Sequence, residues 1–221
     1  GNKAAIGYIS LGSLDNTVKA VKVDGVEATA DNVKNGTYPI CRPFNIATKG
    51  DLSDAAKDFI AFIQSDEGQQ VITDKGCVST GSTRAFTSGN PTGTVVVEGS
   101  SSVTPVMEKL AEAYMAINSG VTVKVQQSDS STGMTSAIEG LCDIGMASRE
   151  LKEDEAAALA HQAIAMDGIA VIVNPANTVE DLDIETIAKI YTGEITNWSE
   201  VGGADAEIVL VGREAGSGTR S

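Results

Sequence analysis

The sequence has little of what most catalytic and metal sites require. It contains one histidine, His161, and three widely spaced cysteines, Cys41, Cys77 and Cys142. His161 stands between an alanine-rich segment and an apolar one, away from every cluster of hydroxyl residues, which favours a surface or packing role. The cysteine spacing matches neither a structural zinc site nor a complete disulfide framework, and at most one bridge could form. We therefore expect buried free thiols and no metal site.

Long apolar runs and positive charge are also scarce. No apolar run approaches the ~20 residues of a membrane span, and the first residues, GNKAAIGYIS, lack the regions of a signal peptide. Any targeting segment would lie outside this sequence. Acidic residues outnumber basic ones by 30 to 16, so the net charge is −14. A field of this sign repels polyanions, so we expect neither nucleic-acid partners nor membrane insertion.

What is present is the pattern of an α/β protein with largely parallel sheets, because short apolar strands alternate with amphipathic helices. The 221 residues are enough for two small lobes, which we favour over one large domain. Predicted strands cover residues 5–10, 18–23, 94–98, 121–126, 143–146, 169–173 and 207–211. Predicted helices cover residues 53–64, 104–117, 135–139, 152–160 and 184–191. The stretch TGSTRAFTSGNPTG, residues 80–93, predicts a linker between blocks 1–79 and 94–221.

Three segments of the second block share one design, in which a strand runs into Ser, Gly and Thr residues that open a helix. They read VVVEGSSSVTPVMEKL, VKVQQSDSSTGMTSAIEG and IVLVGREAGSGTRS. Free backbone N–H groups and the positive end of the helix dipole attract an anion there, and hydroxyls add donors. Each segment alone is also explained by ordinary N-caps. Three of them at the carboxyl ends of strands, where open α/β sheets bind ligands, indicate an anion site.

The third segment favours binding without catalysis. Arg213, just beyond the last predicted strand, offers a bidentate fork to a tetrahedral oxyanion. The segment differs from a Walker loop, because it has no lysine beside its Gly-Thr and no four-residue spacer. Ser217 does not stand in a Gly-x-Ser-x-Gly elbow, and no acid–base pair accompanies it. Asp181 and Asp183 lie at a predicted helix start and complement its dipole.

These motifs together resemble the phosphate-binding proteins of bacterial phosphate ABC transporters. The amino-terminal part of that family is resembled by five stretches of the second block: GTVVVEGSSSVTPVMEKLAEAY, SDSSTGM, CDIGMASRELK, IYTGEITNW and GREAGSGTRS. The family's carboxyl-terminal part is resembled by three stretches of the first block: AAIGYISLGSL, VKVDGVEATADNVKNGTYPICRPF and DFIAFIQSDEGQQVITDKGCV. The order is reversed relative to the family, so the chain resembles a circular permutant or a slice across two tandem copies.

The resemblance implies a two-lobed fold of the periplasmic-binding-protein type, circularly permuted or truncated, that closes on a ligand between its lobes. One expected lobe spans residues 38–173 and contains the linker 80–93. The other consists of residues 1–37 and 174–221 and lacks most of the helix after Thr219.

The resemblance also assigns ligand roles. Ser101 and Ser102 match the family's first phosphate loop, and either Ser130 or Ser131 matches its second-loop serine. The residues that match the donors of the opposite lobe are Arg213, Ser217, Gly218 and Thr219.

One departure from the family concerns selectivity. Some members carry, after the strand that corresponds to 143–146, an aspartate that accepts the proton of hydrogen phosphate and so rejects sulfate. Here Ala147, Ser148 and Arg149 occupy that stretch. A serine can accept a hydrogen bond and an arginine cannot, so we expect Ser148 to take part, with Asp129 as a substitute acceptor.

The predicted function is that of a non-enzymatic receptor for inorganic phosphate that needs no metal and no cofactor. The resemblance implies that it serves the membrane permease subunits of an ABC transporter, in the periplasm or at the outer face of the cell membrane. A lipoprotein signal would lie outside this sequence. Two alternatives stay open: a module that keeps the fold but has lost anion binding, and a phosphate-ester hydrolase.

Overall fold

The computed structural model describes residues 1–82 and 84–221. Its strands are β1 (Ala5–Ser10), β2 (Lys19–Ala20), β3 (Lys22–Val23), β4 (Cys41–Thr48), β5 (Val78–Ser79), β6 (Gly93–Ser100), β7 (Val121–Ser128), β8 (Ile144–Ala147), β9 (Ala160–Val173), β10 (Asp181–Leu182) and β11 (Val209–Leu210). Its α-helices are α1 (Ala30–Lys34), α2 (Asp54–Ile63), α3 (Asp66–Asp74), α4 (Thr104–Ile117), α5 (Ser130–Glu139), α6 (Glu153–Ala158) and α7 (Ile184–Thr192).

The chain divides into two compact units. Unit 1 consists of Gly1–Cys41 and Asp167–Arg213, and unit 2 consists of Arg42–Met166 and Glu214–Ser221. The lobes expected from the sequence are residues 1–37 with 174–221 and residues 38–173. Their boundaries after 37 and 173 lie four and seven residues from the unit boundaries after Cys41 and Met166. The final segment differs, because Glu214–Ser221 belongs to unit 2. Its hydrogen bonds to serine residues of unit 2, described below, account for that difference.

Unit 2 is built on a parallel core of three strands. β6 lies between β7 and β8 and runs parallel to both, with Val97 opposite Val125 on one side and Ile144 on the other. Antiparallel pairing adds β4 beside β8 and β5 beside the first half of β9. Because β6, β7 and β8 are parallel, their carboxyl ends share one edge of the sheet. The predicted α/β class with a largely parallel central sheet is confirmed.

Aromatic and aliphatic side chains of α2, α4 and β6 fill the core of unit 2. In α2, Ala56, Phe59 and Ile63 are fully buried and Ile60 is partly buried, so the apolar residues that recur at helical spacing form the buried face of this helix. The rings of Phe59 and Tyr114 lie 5.1 Å apart. Burial of each large side chain contributes about 1.5–3 kcal/mol, so this core holds the sheet and its helices together.

The predicted linker lies inside unit 2, between β5 and β6. Residues 80–82 and 84–92 of it contain no helix or strand, whereas its last residue, Gly93, begins β6. The Phe86 N–H donates to Glu67 Oε2 at 2.8 Å, and the Gly89 N–H donates to Asp58 Oδ1 at 2.8 Å. These bonds hold the segment against α2 and α3.

In unit 1, β1 pairs in parallel with β11 and antiparallel with the second half of β9. The predicted strand 18–23 is two short strands, because β2 pairs with β9 whereas β3 pairs with β10. Asp183 caps α7 by accepting a hydrogen bond from the Thr186 N–H at 2.6 Å, as its position at a helix start predicts. Trp198 is buried, and its indole N–H donates to the Ala4 carbonyl at 2.9 Å.

The residues that the sequence excluded from chemistry are His161 and the three cysteines. His161 is exposed on β9, as predicted. Cys77 and Cys142 are buried, as expected, but Cys41 is exposed, so the expectation of burial was wrong for Cys41. Cys41 is the first residue of β4, where its side chain meets solvent. Among the described residues, none of the helices is long and apolar enough to cross a membrane.

Candidate anion-binding site

Serine residues follow each of the three parallel strands of unit 2. β6 ends at Ser100 and continues through a turn into α4, whereas β7 ends at Ser128 and is followed by Asp129 and α5. β8 ends at Ala147, directly before Ser148. Because the strands end at the same edge, hydroxyls and two helix N-termini meet there, as the ligand-binding edge of an open α/β sheet requires.

The hydroxyl of Ser148 lies at the centre of this arrangement. The Ser100 hydroxyl donates to Ser148 Oγ at 2.9 Å, and Ser130 Oγ lies 3.4 Å from it. The backbone N–H of Ser148 donates to Ser130 Oγ at 3.0 Å. All three side chains are buried. The ends of β6 and β8 and the start of α5 therefore supply one desolvated set of hydroxyls.

Residues of the final segment of the chain also contact this part of unit 2. Thr219 Oγ1 lies 3.1 Å from Ser102 Oγ, and the Thr219 N–H donates to Ser217 Oγ at 3.2 Å. The Ser131 N–H donates to the Gly216 carbonyl at 3.4 Å. Ser217 and Thr219 are buried. We call Ser100, Ser102, Ser130, Ser148 and Thr219 the hydroxyl cluster.

Gly218 allows the backbone to approach this cluster. A Cβ atom at Gly218 would lie 2.4 Å from Ser130 Oγ and 2.7 Å from Ser148 Oγ, well inside van der Waals contact. Only glycine therefore fits between these two hydroxyls without displacing them.

A buried guanidinium also contacts the cluster, and sequence reasoning missed it. Arg42, only 6% exposed, directs Nη1 to the carbonyl and the hydroxyl oxygen of Ser148, each at 3.2 Å, and donates to Thr219 Oγ1. Its guanidinium carbon lies 5.5 Å from the centre of the Phe44 ring, at cation–π distance. The only sequence signal was a charged residue inside the apolar stretch PICRPFNIA.

Arg149 turns away from the cluster towards Glu155. The two form a buried bidentate ion pair, with distances of 2.7 Å and 2.8 Å, and Arg149 Nη2 also donates to Ser131 Oγ at 3.3 Å. Burial alone would raise the pKa of Glu155, but hydrogen bonds from Arg149 and the Lys152 amide prevail, and the pKa is lowered. The sequence left Ser130 and Ser131 as alternatives, and the structure places the hydroxyl of Ser130 in the cluster.

Asp129, the alternative acceptor, uses its carboxylate to cap α5. Oδ1 accepts the Thr132 N–H and Oδ2 accepts the Thr132 hydroxyl, both at 2.9 Å. A carboxylate at an N-cap complements the helix dipole and stabilises the start of the helix. Asp129 therefore has a structural role that is independent of any anion.

The two remaining predicted ligands, Ser101 and Arg213, belong to different units. Ser101 occupies the turn between Ser100 and Ser102, and it is half-buried. Arg213 is the last residue of the second segment of unit 1, where its backbone N–H donates to the Tyr8 hydroxyl at 3.2 Å. Unit 2 thus brings together the predicted residues Ser102, Ser130, Ser148, Ser217, Gly218 and Thr219, to which the structure adds Ser100 and Arg42.

The arrangement suits a small tetrahedral oxyanion. Hydroxyls and backbone amides at the starts of α4 and α5 are donors, and Arg42 adds a full positive charge. Within residues 1–82 and 84–221 there is no group of His, Cys, Asp and Glu that could hold a metal ion. The site therefore offers hydrogen bonds and charge to an anion.

Comparisons with known proteins extend over both units. A family model described as a PBP superfamily domain matches residues 84–221. Phosphate-binding protein PstS 2 of Streptococcus agalactiae is 51% identical over 200 residues, which cover 90% of this chain and 68% of that protein. Phosphate-binding protein PstS 2 of Streptococcus pneumoniae is 46% identical over 202 residues, covering 91% and 69%.

Solved structures of phosphate-binding proteins also match this chain. The phosphate-binding protein of a phosphate ABC transporter from Streptococcus pneumoniae matches with a TM-score of 0.77 and 46% identity, covering 90% of this chain and 78% of that one. A putative phosphate ABC transporter substrate-binding protein with bound phosphate, from Clostridium perfringens, matches with a TM-score of 0.57 and 51% identity. That match covers 58% of this chain and 53% of the other.

Proposed function

Because the chain belongs to the family of phosphate-binding proteins of bacterial phosphate ABC transporters, within the PBP superfamily, we propose that it binds inorganic phosphate at the hydroxyl cluster. The members of this family are solute receptors and the chain is not an enzyme, as the sequence predicts.

One observation carries the proposal. Ser148 Oγ lies within hydrogen-bond distance of the Ser100 and Ser130 hydroxyls, and Thr219 Oγ1 lies within that distance of Ser102 Oγ. One buried guanidinium, that of Arg42, contacts both Ser148 and Thr219. A phosphate oxygen accepts hydrogen bonds from such groups, and bonds to a charged group contribute about 1.5–3 kcal/mol each. Several of them in one desolvated place are enough for tight binding of a small anion.

The net charge of −14 does not conflict with this proposal. Hydrogen bonds and helix dipoles act over a few Å inside the site, whereas exposed surface charge is screened over ~8 Å at physiological salt. Surface charge therefore slows the encounter with phosphate more than it weakens the bound state.

Further ligands, partners and compartment belong to the proposal as well. Ser101, Ser131, Ser217, Gly218 and Arg213 remain proposed ligands because they match the family's motifs. The membrane permease subunits of an ABC transporter are the proposed partner, and the periplasm or the outer face of the cell membrane is the proposed compartment. The names of the relatives, which are phosphate-binding proteins, support both.

Calorimetric titration of anion-free protein with phosphate, and then with sulfate, tests the proposal. We expect micromolar or tighter phosphate binding and a rise in Tm, since a ligand at 100 times its Kd stabilises the fold by about 2.7 kcal/mol. Ser148→Ala should weaken binding at least tenfold, whereas Ser13→Ala, at an exposed serine of unit 1, should not. The sulfate titration shows whether a site with Ser148 in place of the family aspartate still rejects sulfate.

Emission of the buried Trp198, recorded in parallel, reports any change in its surroundings. Absence of heat and of a Tm shift at millimolar phosphate would contradict the proposal and favour a module that keeps the fold without binding an anion.

A further inference from the structure

We infer that Arg42 is a direct phosphate ligand at the hydroxyl cluster. This inference rests on the proposed function. It concerns a residue that neither the sequence patterns nor the matched motifs assigned to the site.

The position of the guanidinium is the first reason. Arg42 Nη1 contacts the hydroxyls of Ser148 and Thr219, which stand 106 and 177 residues from it in sequence. Thr219 belongs to the third of the segments that the hydroxyl pattern assigns to the anion, and Ser148 directly follows the end of β8. An anion that accepts hydrogen bonds from both hydroxyls lies within reach of the same guanidinium, which has five N–H donors in a planar fork.

The orientation of the side chain is the second reason. The Ser148 carbonyl accepts from Nη1 at 3.2 Å, and the guanidinium carbon lies 5.5 Å from the centre of the Phe44 ring. Phe44 is fully buried and follows Arg42 by two residues on β4, so both side chains emerge on the same face of the strand. These contacts hold the fork in place, and little side-chain entropy remains to be lost when an anion binds.

Charge is the third reason. Each helix N-terminus supplies the equivalent of about half a positive charge, and that field falls off within the first turn. Hydrogen phosphate carries two negative charges, and burial of uncompensated charge is costly. A guanidinium stays protonated at any physiological pH, so Arg42 supplies a permanent full charge from the same unit as the hydroxyl cluster.

Calorimetry on four proteins tests the inference: the wild type, Arg42→Met, Arg42→Lys and Arg84→Met. Arg84 is an exposed arginine of the same unit and serves as the matched control. We expect Kd for phosphate to rise about 100-fold in Arg42→Met and about tenfold in Arg42→Lys, which keeps the charge and loses the fork. Arg84→Met should bind like the wild type.

The outcomes separate this inference from the function on which it rests. If the wild type binds no phosphate, the proposed function fails. If the wild type binds, and both Arg42 variants fold and bind within twofold of it, the inference alone is overturned.

A second measurement covers the case in which the Arg42 variants do not fold. The chain has five arginines, so their guanidinium NMR signals can be assigned individually in the wild type. Phosphate should shift the guanidinium signals of Arg42 together with the amide signals of Ser148 and Thr219. An unmoved Arg42 signal, while the two amides shift, would overturn the inference without any variant.

Discussion

The hydroxyl oxygens of Ser100 and Ser148 lie 2.9 Å apart, although 48 residues separate them in sequence. The parallel pairing of β6 with β8 produces this proximity, because Gly99 lies opposite Met146 and both strands end just beyond that pair. Packing of the strands, rather than a loop, therefore positions the two hydroxyls. A site positioned in this way is rigid, and changes of single atoms in it should have measurable effects on binding.

Thr219→Val removes one hydroxyl of the cluster and keeps the shape of the side chain. Since hydrogen bonds to a charged ligand contribute about 1.5–3 kcal/mol, we expect Kd for phosphate to rise about ten- to a hundredfold. Calorimetric titration measures this change. The matched control is Thr122→Val on β7, where the side chain is exposed. Equal affinities of the two variants would remove Thr219 from the site.

Gly218→Ala places a methyl group against Ser130 Oγ and Ser148 Oγ. Both atoms belong to short side chains that can rotate away, so we expect a small loss of stability but at least a tenfold loss of phosphate affinity. In the control variant Gly89→Ala, the nearest atom would be Asp58 Oδ1, at 3.5 Å. Thermal unfolding and calorimetry on the same samples separate the two effects. Wild-type affinity in Gly218→Ala would show that the segment moves away when phosphate binds.

Glu155→Gln leaves the buried guanidinium of Arg149 without its carboxylate. We expect a loss of about 3 kcal/mol at neutral pH, as is usual when one partner of a buried ion pair is removed. The folded-state pKa of Glu155 lies below its usual value of 4.5, so its stabilisation is present above that pH. It is lost as the pH falls through the folded-state pKa.

Urea unfolding of the wild type and of Glu155→Gln between about pH 3 and pH 7 measures this dependence. The difference between the two proteins should be constant near neutrality and should shrink in acid. Glu112→Gln, which affects the exposed pair with Lys109, should show little difference at any pH. A gap that stays constant down to the acid end would mean that the ion pair does not stabilise the fold.

Asp58→Ala should detach the segment before β6 from the helices. Asp58 Oδ2 accepts from the Tyr114 hydroxyl at 2.9 Å and from Asn118 Nδ2 at 2.8 Å, and Oδ1 accepts the Gly89 N–H. Loss of these bonds should cost about 2 kcal/mol or more and should speed proteolytic cleavage near Gly89. Asp74→Ala, at an exposed aspartate of α3, is the control. Identical cleavage rates would contradict the role of Asp58.

Elements with strong local signals could be predicted to the residue. β1 is a short and mostly apolar run, and α4 begins with a proline in its first turn and keeps a helical apolar period, so both have the predicted bounds. The prediction for α5 began five residues too late. Its first turn is rich in serine and threonine, which have low helix propensity, and the Asp129 cap compensates for this.

Two elements had misleading local signals. β4 contains Pro43, a residue that argues against an interior strand, and the chain forms a strand there because it pairs with β8. α3 contains Gly68, where a Cβ atom would lie 2.1 Å from the Phe62 carbonyl. This glycine serves close packing, so helix propensity alone could not identify α3.

The difference between local signals and contacts of distant segments also explains which residues of the site could be predicted. Ser102, Ser130 and Ser148 follow predicted strands, so a local pattern points to them. Arg42 reaches them through pairing between β4 and β8, where Asn45 lies opposite Ala147, and no local pattern contains that information. The reversed order of the two blocks remains a prediction. The match to the Streptococcus agalactiae protein, over 200 residues, is longer than the whole of residues 94–221, so that relative contains parts of both blocks.

Most polar groups of the site are hydroxyls, which can both donate and accept hydrogen bonds, and this affects the kinetics of phosphate binding. Each O–H of Ser100, Ser102 and Thr219 donates or accepts according to the rotation of one bond. A hydroxyl of the cluster can therefore turn its hydrogen towards an arriving anion without any change of side-chain rotamer. Such rotations take picoseconds to nanoseconds. They are too fast to limit the rate at which phosphate is captured, which is set by diffusion and by any larger motion of the chain.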